Sequence, residues 1–196
     1  MGKYGCLDFS ARLNIFIKGI ALLMRSRLKL VSLIFVSITC ASFSTYYSLV
    51  YQAKTLHLKG ATFDFTEEYA KAIESYQQAL VIRRILHDRR GEINTLNGMG
   101  IVYRHQEQYL QALEIYQQAL DVSQQANYSL EKSDTFSNIG VVYEKQRKNS
   151  EALSSYQEAL QLAKTEGDRE REGTILSNIG VVYASLGDSR KALDFC

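Results

Sequence analysis

The residue types that most often do chemistry in proteins, cysteine and histidine, are few in this chain and widely separated. The 196 residues include three of each, and none has a thiol or carboxylate partner at the spacing of metal ligands. No phosphate-binding loop, G-x-S-x-G or H-E-x-x-H sequence occurs. We therefore expect no catalytic residue, no bound metal and no cofactor. The residues concerned are Cys6, Cys40, Cys196, His57, His87 and His105.

The charged residues divide the chain into two parts. Residues 1–53 carry six basic side chains and one acidic side chain, whereas residues 54–196 carry 17 basic and 20 acidic ones, a difference of −3. Binding to phosphate backbones requires a basic face, so this acidic excess argues against a nucleic-acid partner. The second part has no proline or tryptophan and is rich in Gln, Ala, Leu and Glu, a composition typical of helices.

A repeat of 40 residues organises the chain from about residue 53 onward. A glycine recurs at that spacing, followed each time by an aromatic residue, an alanine and, in three units, a tyrosine. Independent columns in one register indicate a repeat protein. The columns are Gly60, Gly100, Gly140 and Gly180; Phe63, Tyr103, Tyr143 and Tyr183; Ala72, Ala112, Ala152 and Ala192; and Tyr76, Tyr116 and Tyr156.

Each unit has the pattern of two helices joined by a short turn. Met99 and Tyr103 share one face of the first helix, and Ala112 and Tyr116 share one face of the second. Glycine on one helix and alanine on the other let the axes approach to about 8–10 Å. Gly167 follows a second helix and is predicted to be its C-cap. One such pair cannot bury its apolar face alone, so neighbouring pairs must stack.

The repeated order resembles the signature of the tetratricopeptide repeat (TPR). It is L-x-x-[I/M]-G-x-x-Y, eight residues, then A-x-x-x-Y-x-x-A, and occurs as LNGMGIVY…ALEIYQQA, FSNIGVVY…ALSSYQEA and LSNIGVVY…ALDFC. Leu96, Phe136 or Leu176 replaces the usual tryptophan, and the unit exceeds the common length of about 34 residues. Longer units are similar to those of kinesin light chain and of cyanobacterial proteins that join a TPR array to a caspase-like CHAT domain.

The resemblance implies an all-α fold, a right-handed solenoid of antiparallel helix pairs over residues 53–196, with about three and a half repeats. In this family the first helix of each pair lines a concave groove that holds a partner protein or peptide. Asn138 and Asn178 are the foremost candidates, because an amide can both donate to and accept from a peptide backbone. Carried over by register, the groove residues are Asn97, Arg104, Asn138, Val141, Lys145, Asn178 and Val181.

The N-terminal part is predicted to be a signal peptide or a transmembrane anchor, over residues 24–52. An uncharged apolar run from Leu30 to Val50 follows a basic stretch, and about 20 apolar residues are enough to span a bilayer. If uncleaved, residues 30–50 would attach the chain to a membrane. Both interpretations place the repeats on the extracytoplasmic side, membrane-anchored or exported. The true start could be Met24, with residues 1–23 an over-extended N-terminus.

The last unit is incomplete in its pattern. By register its second helix should continue to about residue 200, but the chain ends at Cys196, where a tyrosine is expected. We therefore expect a C-terminally truncated array whose uncapped last repeat could associate with another copy.

Together these patterns favour a protein-interaction scaffold without enzymatic activity of its own. Its partner would be a protein or peptide that the sequence does not identify. The alternative is the N-terminal recognition fragment of a larger enzyme, such as a caspase-like (CHAT) peptidase. A third hypothesis is a purely structural role, in which repeat ends associate.

Overall fold

The computed structural model describes residues 44–195. The chain divides into two compact units, Met1–Ser48 and Leu49–Cys196, and the second unit holds the repeats. The predicted segments 1–23 and 24–52 lie wholly or mostly outside the described residues, and so do most of the apolar run from Leu30 to Val50, predicted to be an N-terminal hydrophobic helix, and the alternative start at Met24. Between residues 44 and 195, no helix is long and apolar enough to cross a membrane.

The described residues form helices joined by short turns, and they include no β-strand. The helices are α1 (residues 44–65), α2 (Tyr69–Ile85), α3 (Arg89–His105), α4 (Tyr109–Ala126), α5 (Ser129–Lys145), α6 (Asn149–Glu166), α7 (Arg169–Ser185) and α8 (Ser189–Asp194). We call α1, α3, α5 and α7 the first helices, and α2, α4, α6 and α8 the second helices. Each first helix pairs with the second helix that follows it. This is the predicted all-α architecture of antiparallel helix pairs.

Every turn between these helices contains one residue in the left-handed region of backbone space, which allows a sharp reversal within three residues or fewer. Gly167 has a φ of 71° and is the C-cap of α6, which confirms the prediction for this glycine. Asn127 has the corresponding role at the end of α4. The left-handed residues are Glu67, His87, Glu107, Asn127, Arg147, Gly167 and Gly187.

Each of the two central helix pairs is closed by a tyrosine that packs on a glycine. Tyr116 and Tyr156 are fully buried. A Cβ atom added to Gly100 would lie 2.4 Å from Cε1 of Tyr116, and one added to Gly140 would lie 2.5 Å from Cε1 of Tyr156. The glycine column is therefore explained by close helix approach, as the sequence predicted, because any side chain there would occupy the space of the ring.

The same tyrosine column joins neighbouring pairs. Tyr76 of α2 packs on Gly60 of its own pair and on Gly98 of the next, where an added Cβ would lie 2.9 Å and 2.7 Å from ring atoms. Burial raises the pKa of Tyr76 to about 12. Stacking of pairs is thus what buries the apolar faces. The core around this ring contains Ala72, Leu80, Ile93, Leu96, Met99 and Val102.

The first helices form one layer of the solenoid and the second helices form another. α3 contacts α5, and α5 contacts α7. Among the helices from α2 to α8, no second helix contacts another second helix. First helices therefore lie closer together than second helices, so the array curves toward the first layer. The concave side is formed by the first helices.

Candidate functional site

One face of the first helices remains open on the concave side. On α3 it carries Asn94, Ile101 and Arg104, with the nearly buried Asn97 between them; their spacing of three or four residues places them on one side of the helix. Gly100 lies on a different side, where it packs on the second helix. We call the open concave surface across α1, α3, α5 and α7 the inner face.

Side chains of the inner face line up in rows, because the unit repeats every 40 residues. A ligand laid along the array would meet one member of each row in each repeat. The apolar row is Ala61, Ile101, Val141 and Val181; the amide–hydroxyl row is His57, Asn97, Ser137 and Ser177; and the charged row is Asp64, Arg104, Glu144 and Ala184 with their neighbours Phe65, His105, Lys145 and Ser185.

The apolar row is accessible in every repeat. Val181 is 51% exposed. Ile101 and Val141 are half-buried, and Val141 packs against the core beneath α6 and α7. The row therefore combines firm attachment to the core with apolar surface that a ligand could cover.

The amide–hydroxyl row contains a buried group without a partner. Asn97 is 7% exposed, and its side-chain oxygen accepts no hydrogen bond from the described residues. A buried acceptor left unsatisfied costs about 1–3 kcal/mol. Farther along, Ser137 lines a cleft of about 330 Å³ between α5 and α7. Ser137 of this row can therefore meet a ligand, whereas the oxygen of Asn97 has no accessible surface.

The cleft beside Ser137 is closed at one side by an ion pair between two first helices. Nε of Arg171 lies 2.7 Å from Oδ1 of Asp134, and its Nη2 lies 3.0 Å from Oδ2. The Asp134 carboxylate raises the pKa of Arg171. Arg171 also bonds to Asp168, and its backbone N–H and guanidinium lower the pKa of that carboxyl. Sequence reasoning missed this pair, because its members are 37 residues apart and no repeat column marks them.

The carboxylates of the charged row are already engaged. Oδ1 of Asp64 lies 2.9 Å from Nδ1 of His105, which links α1 to α3. Glu144 accepts a hydrogen bond of 3.1 Å from the hydroxyl of Tyr156. These acids therefore interact within the scaffold.

Two cations of the charged row lack such partners. Lys145 is exposed. Arg104 has a buried Nε without a hydrogen bond, and its Nη2 lies 3.2 Å from Nε2 of His105. Among residues 44–195, neither cation forms an ion pair. Arg147 adds a third positive charge in an open cleft of about 420 Å³ that Glu144 also lines. Lys145 and Arg147 are therefore exposed positive charges near the carboxylate of Glu144.

Asn138 and Asn178, the foremost sequence candidates, occupy a different row from Asn97. Both are half-buried. Their equivalent in α3 is Gly98, which packs on Tyr76 of the preceding pair. By register they therefore lie toward the preceding second helix, at the margin of the inner face. Their contact with a peptide stays a prediction.

The histidines serve the scaffold where the structure describes their contacts. Nδ1 of His57 lies 3.4 Å from Oγ1 of Thr95, and the imidazole ring packs edge-on against the ring of Tyr76. His87 is an exposed turn residue. From residue 44 to residue 195, no group of three or more His, Cys, Asp or Glu is placed to hold a metal ion. The expectation of no metal, no cofactor and no catalytic residue stays a prediction.

His57 should make the stability of the array depend on pH. Burial, and then the charge of Arg83, lower its pKa below 6.5. The folded state then binds fewer protons than the unfolded state, so this contribution is present above about pH 6.5 and is lost as pH falls through the lowered pKa. Urea unfolding at a series of pH values should show a steeper loss of stability on acidification for the wild type than for His57→Phe. Equal slopes would contradict this role.

The sequence profile of the tetratricopeptide-repeat family matches residues 51–125, 91–165 and 131–195. The three matches overlap and together span the helical array. No curated protein sequence matches the chain.

Solved structures of similar fold include the following three proteins. BtubC (BKLC) from P. vanneervenii is 22% identical, with 73% of this chain and 59% of that chain covered and a TM-score of 0.62. The Rap conjugation regulator of plasmid pLS20, in complex with the Phr* peptide, is 20% identical, with 76% of this chain and 41% of that chain covered and a TM-score of 0.64. A putative kinesin light chain of Podosopora anserina with TPR-like repeats is 12% identical, with 72% of this chain and 70% of that chain covered and a TM-score of 0.59. This chain thus spans less than two thirds of the first two proteins, and the likeness concerns the fold.

Proposed function

Because this chain belongs to the tetratricopeptide-repeat family, we propose that it is an interaction scaffold that binds an extended segment of a partner protein along its inner face. The observation that carries the proposal is the accessible apolar row, which continues across successive first helices. Covering that row would remove apolar surface from water, which favours association. The neighbouring cations Arg104 and Lys145 would help to orient the bound segment.

The comparison with the pLS20 regulator supports a peptide as ligand. That protein has a similar repeat architecture and was solved with the Phr* peptide. It is a precedent for peptide binding by a protein that contains this fold. The ligand of this chain is proposed from its own inner face. In each row of that face, the side chains are not the same in all repeats.

We also propose that residues 24–52 attach the array to a membrane or direct its export. The support is the basic stretch followed by the apolar run from Leu30 to Val50. Intact mass of the native protein from membrane and soluble fractions would separate the two cases. An uncleaved mass in the membrane fraction supports an anchor, and a shortened soluble species supports a cleaved signal.

Two further hypotheses concern what the array could be joined to. Self-association through the last repeat is supported by Leu193 of α8, which is 75% exposed. Light scattering at increasing concentration would test it, and a constant monomer mass would contradict it. The caspase-like alternative has no support among the described residues, and the mass of the native protein would test it in the same experiment.

Binding at the inner face can be tested with a matched pair of substitutions. Val181 on the inner face is 51% exposed, and Val81 on the second helix α2 is 57% exposed. Dodecapeptides selected from a random library on the full chain should lose about tenfold or more of their affinity for Val181→Asp, because a charge would enter the apolar row. They should keep their affinity for Val81→Asp. Equal affinities for the two variants would contradict the proposal.

A further inference from the structure

We infer that the exposed side of α1 is a second docking surface, which holds an amphipathic helix of a partner protein whose apolar side is flanked by acidic residues. This inference goes beyond the proposed function, because the surface runs along one helix at the edge of the described array and not across the inner face. Three features lead to it: a row of large exposed apolar side chains, polar residues at the adjoining stacking positions, and a lysine on each side of the row.

Three large apolar side chains are exposed along α1. Tyr51 is 74% exposed, Leu58 is 57% exposed and Phe65 is 89% exposed. They stand seven residues apart, close to two helical turns, so they lie on one side of the helix within a length of about 21 Å. We call these three residues the α1 stripe. An exposed row of this kind in a folded protein is typical of an interaction site.

The α1 stripe has no equivalent in the other first helices. The corresponding positions of α3, α5 and α7 carry small, polar or charged residues, and Gly98 among them packs on Tyr76 of the preceding pair. Stacking of helix pairs therefore does not explain large apolar residues at these positions. The equivalents are Gly91, Glu131 and Arg171 for Tyr51; Gly98, Asn138 and Asn178 for Leu58; and His105, Lys145 and Ser185 for Phe65.

The positions of α1 that would pack on another helix pair are polar. In α5 and α7, Val142 and Val182 pack on the preceding second helix and are fully buried. The equivalent residue of α1 is Thr62, which is exposed. Likewise, the buried Ile179 of α7 corresponds to the exposed Lys59. This side of α1 is therefore suited to water, and the α1 stripe beside it is a separate surface.

The direction of the α1 stripe indicates a helix as its occupant. First helices lie side by side, so an extended segment that follows the array would cross α1 and cover only part of the stripe. A helix laid lengthwise on α1 would cover all of it, because helices pack lengthwise where apolar residues recur about every seven positions. About four turns of such a helix would span the stripe.

A lysine stands on each side of the α1 stripe. By register, Lys54 lies toward the inner face and Lys59 toward the stacking side. Both are exposed, and neither forms an ion pair among residues 44–195. Between residues 49 and 63, α1 contains no acidic residue; beyond them, Asp64 is bonded to His105, and Glu67 lies in the following turn. The flanks are therefore positive over most of the stripe, and acidic residues of a ligand would be attracted to them.

Charge and shape disfavour the other possible occupants. A second copy of α1 would bring the lysines of both copies to one seam, where like charges repel. Residues 1–43 contain a single acidic residue, Asp8, so this segment has no row of acids to place beside the lysines. A lipid surface suits a wider apolar face than a single row. An acidic amphipathic helix of another protein matches both the spacing and the charge.

The test measures binding of a synthetic helix to the full chain. The probe is a fluorescent peptide of about 21 residues, three heptads with leucine at a and d, glutamate at e and g, and alanine elsewhere; its glutamates oppose pairing with itself. Fluorescence anisotropy should show that it binds about tenfold more tightly than the same peptide with lysine in place of glutamate. Equal affinities, or no binding of the acidic peptide, would overturn the inference.

Matched substitutions locate the binding. Leu58→Asp should weaken the acidic peptide about tenfold or more, because a charge would enter the α1 stripe. Leu110→Asp, at a residue of α4 that is 75% exposed, should leave the affinity unchanged. Lys59→Glu should weaken binding about two- to fivefold, and more at low ionic strength, whereas Lys164→Glu on α6 should not. Equal effects within either pair of variants would contradict the assignment, provided that circular dichroism shows all four to be folded.

Further measurements separate this surface from the inner face and from other occupants. Val181→Asp should leave the affinity for the acidic peptide unchanged. A loss in Val181→Asp without a loss in Leu58→Asp would place the peptide on the inner face and overturn this inference alone. A dimer in light scattering that dissociates in Leu58→Asp would show that a second copy covers the stripe. Anionic vesicles that bind the wild type and Leu110→Asp but not Leu58→Asp would show a lipid surface instead, and either result would overturn the inference.

Discussion

Replacing Tyr116 with alanine is expected to lower the free energy of unfolding by about 3–5 kcal/mol. Its ring is fully buried and fills the space that Gly100 leaves between α3 and α4. Removal would leave a cavity that glycine cannot fill. Stability in a repeat array is largely a sum of units and their neighbouring interfaces, so loss of a central unit also weakens the units on either side. Urea unfolding followed by far-UV circular dichroism would measure the loss.

The matched control is Tyr116→Phe, which keeps the ring and removes only the hydroxyl. That hydroxyl is buried and makes no hydrogen bond of normal geometry, although burial, partly opposed by the nearby Arg104, raises the pKa of Tyr116. Removing an unsatisfied group should leave stability unchanged or slightly higher. A large loss in Tyr116→Phe, or a loss below about 1 kcal/mol in Tyr116→Ala, would contradict the account of the core.

Replacing Asn97 with leucine is expected to stabilise the chain without changing peptide binding. The side chain is 7% exposed and its oxygen has no partner, so an apolar residue of similar size should raise the free energy of unfolding by about 1–2 kcal/mol. Its oxygen has no accessible surface, so the affinity for a library-selected peptide should stay unchanged. Urea unfolding would measure the gain in stability, and fluorescence anisotropy would measure the affinity.

Asn94→Leu provides the control for that experiment, because Asn94 is exposed on the same helix. Surface substitutions usually change stability by no more than about 0.5 kcal/mol. If Asn97→Leu destabilises the chain, its amide has a structural role. If it weakens peptide binding while it stabilises the chain, the oxygen meets the ligand, which would contradict its buried position.

The fold followed from the sequence because its main constraints repeat. Gly100 and Tyr116 recur as Gly140 and Tyr156, and each pair meets in the structure as the columns predicted. A column marks a contact that every unit needs, and such contacts define the helix pair. Gly167 was also predictable, since the end of a helix in the left-handed conformation favours glycine.

The sequence predicted which row of the inner face a residue belongs to, but it did not predict how deeply that residue is buried. Register placed Asn97, Val141 and Val181 on first helices, but burial depends on how far the next helix covers each position. Thus Asn97 is nearly buried while its equivalent Ser177 is exposed. Asn138 also stands one position out of register with Asn97, which the repeat period shows only when the rows are compared residue by residue.

Interactions between repeats could not be predicted from columns. Arg90 pairs with Glu131 across α3 and α5, and Arg171 pairs with Asp134 across α5 and α7. In the first pair the arginine lies on the earlier helix, and in the second pair it lies on the later helix. Such contacts depend on the distance between specific side chains, and they vary from one interface to the next because the apolar core already fixes the stacking.

Photo-cross-linking of a library-selected peptide tests the central claim most directly. A benzophenone side chain would be placed at position 141 or 181 on the inner face and, as control, at position 81 on α2. The proposed function predicts that the peptide cross-links at 141 and 181 and not at 81. Equal cross-linking at position 81, or cross-linking only there, would show that the second helices hold the ligand and would contradict binding at the inner face.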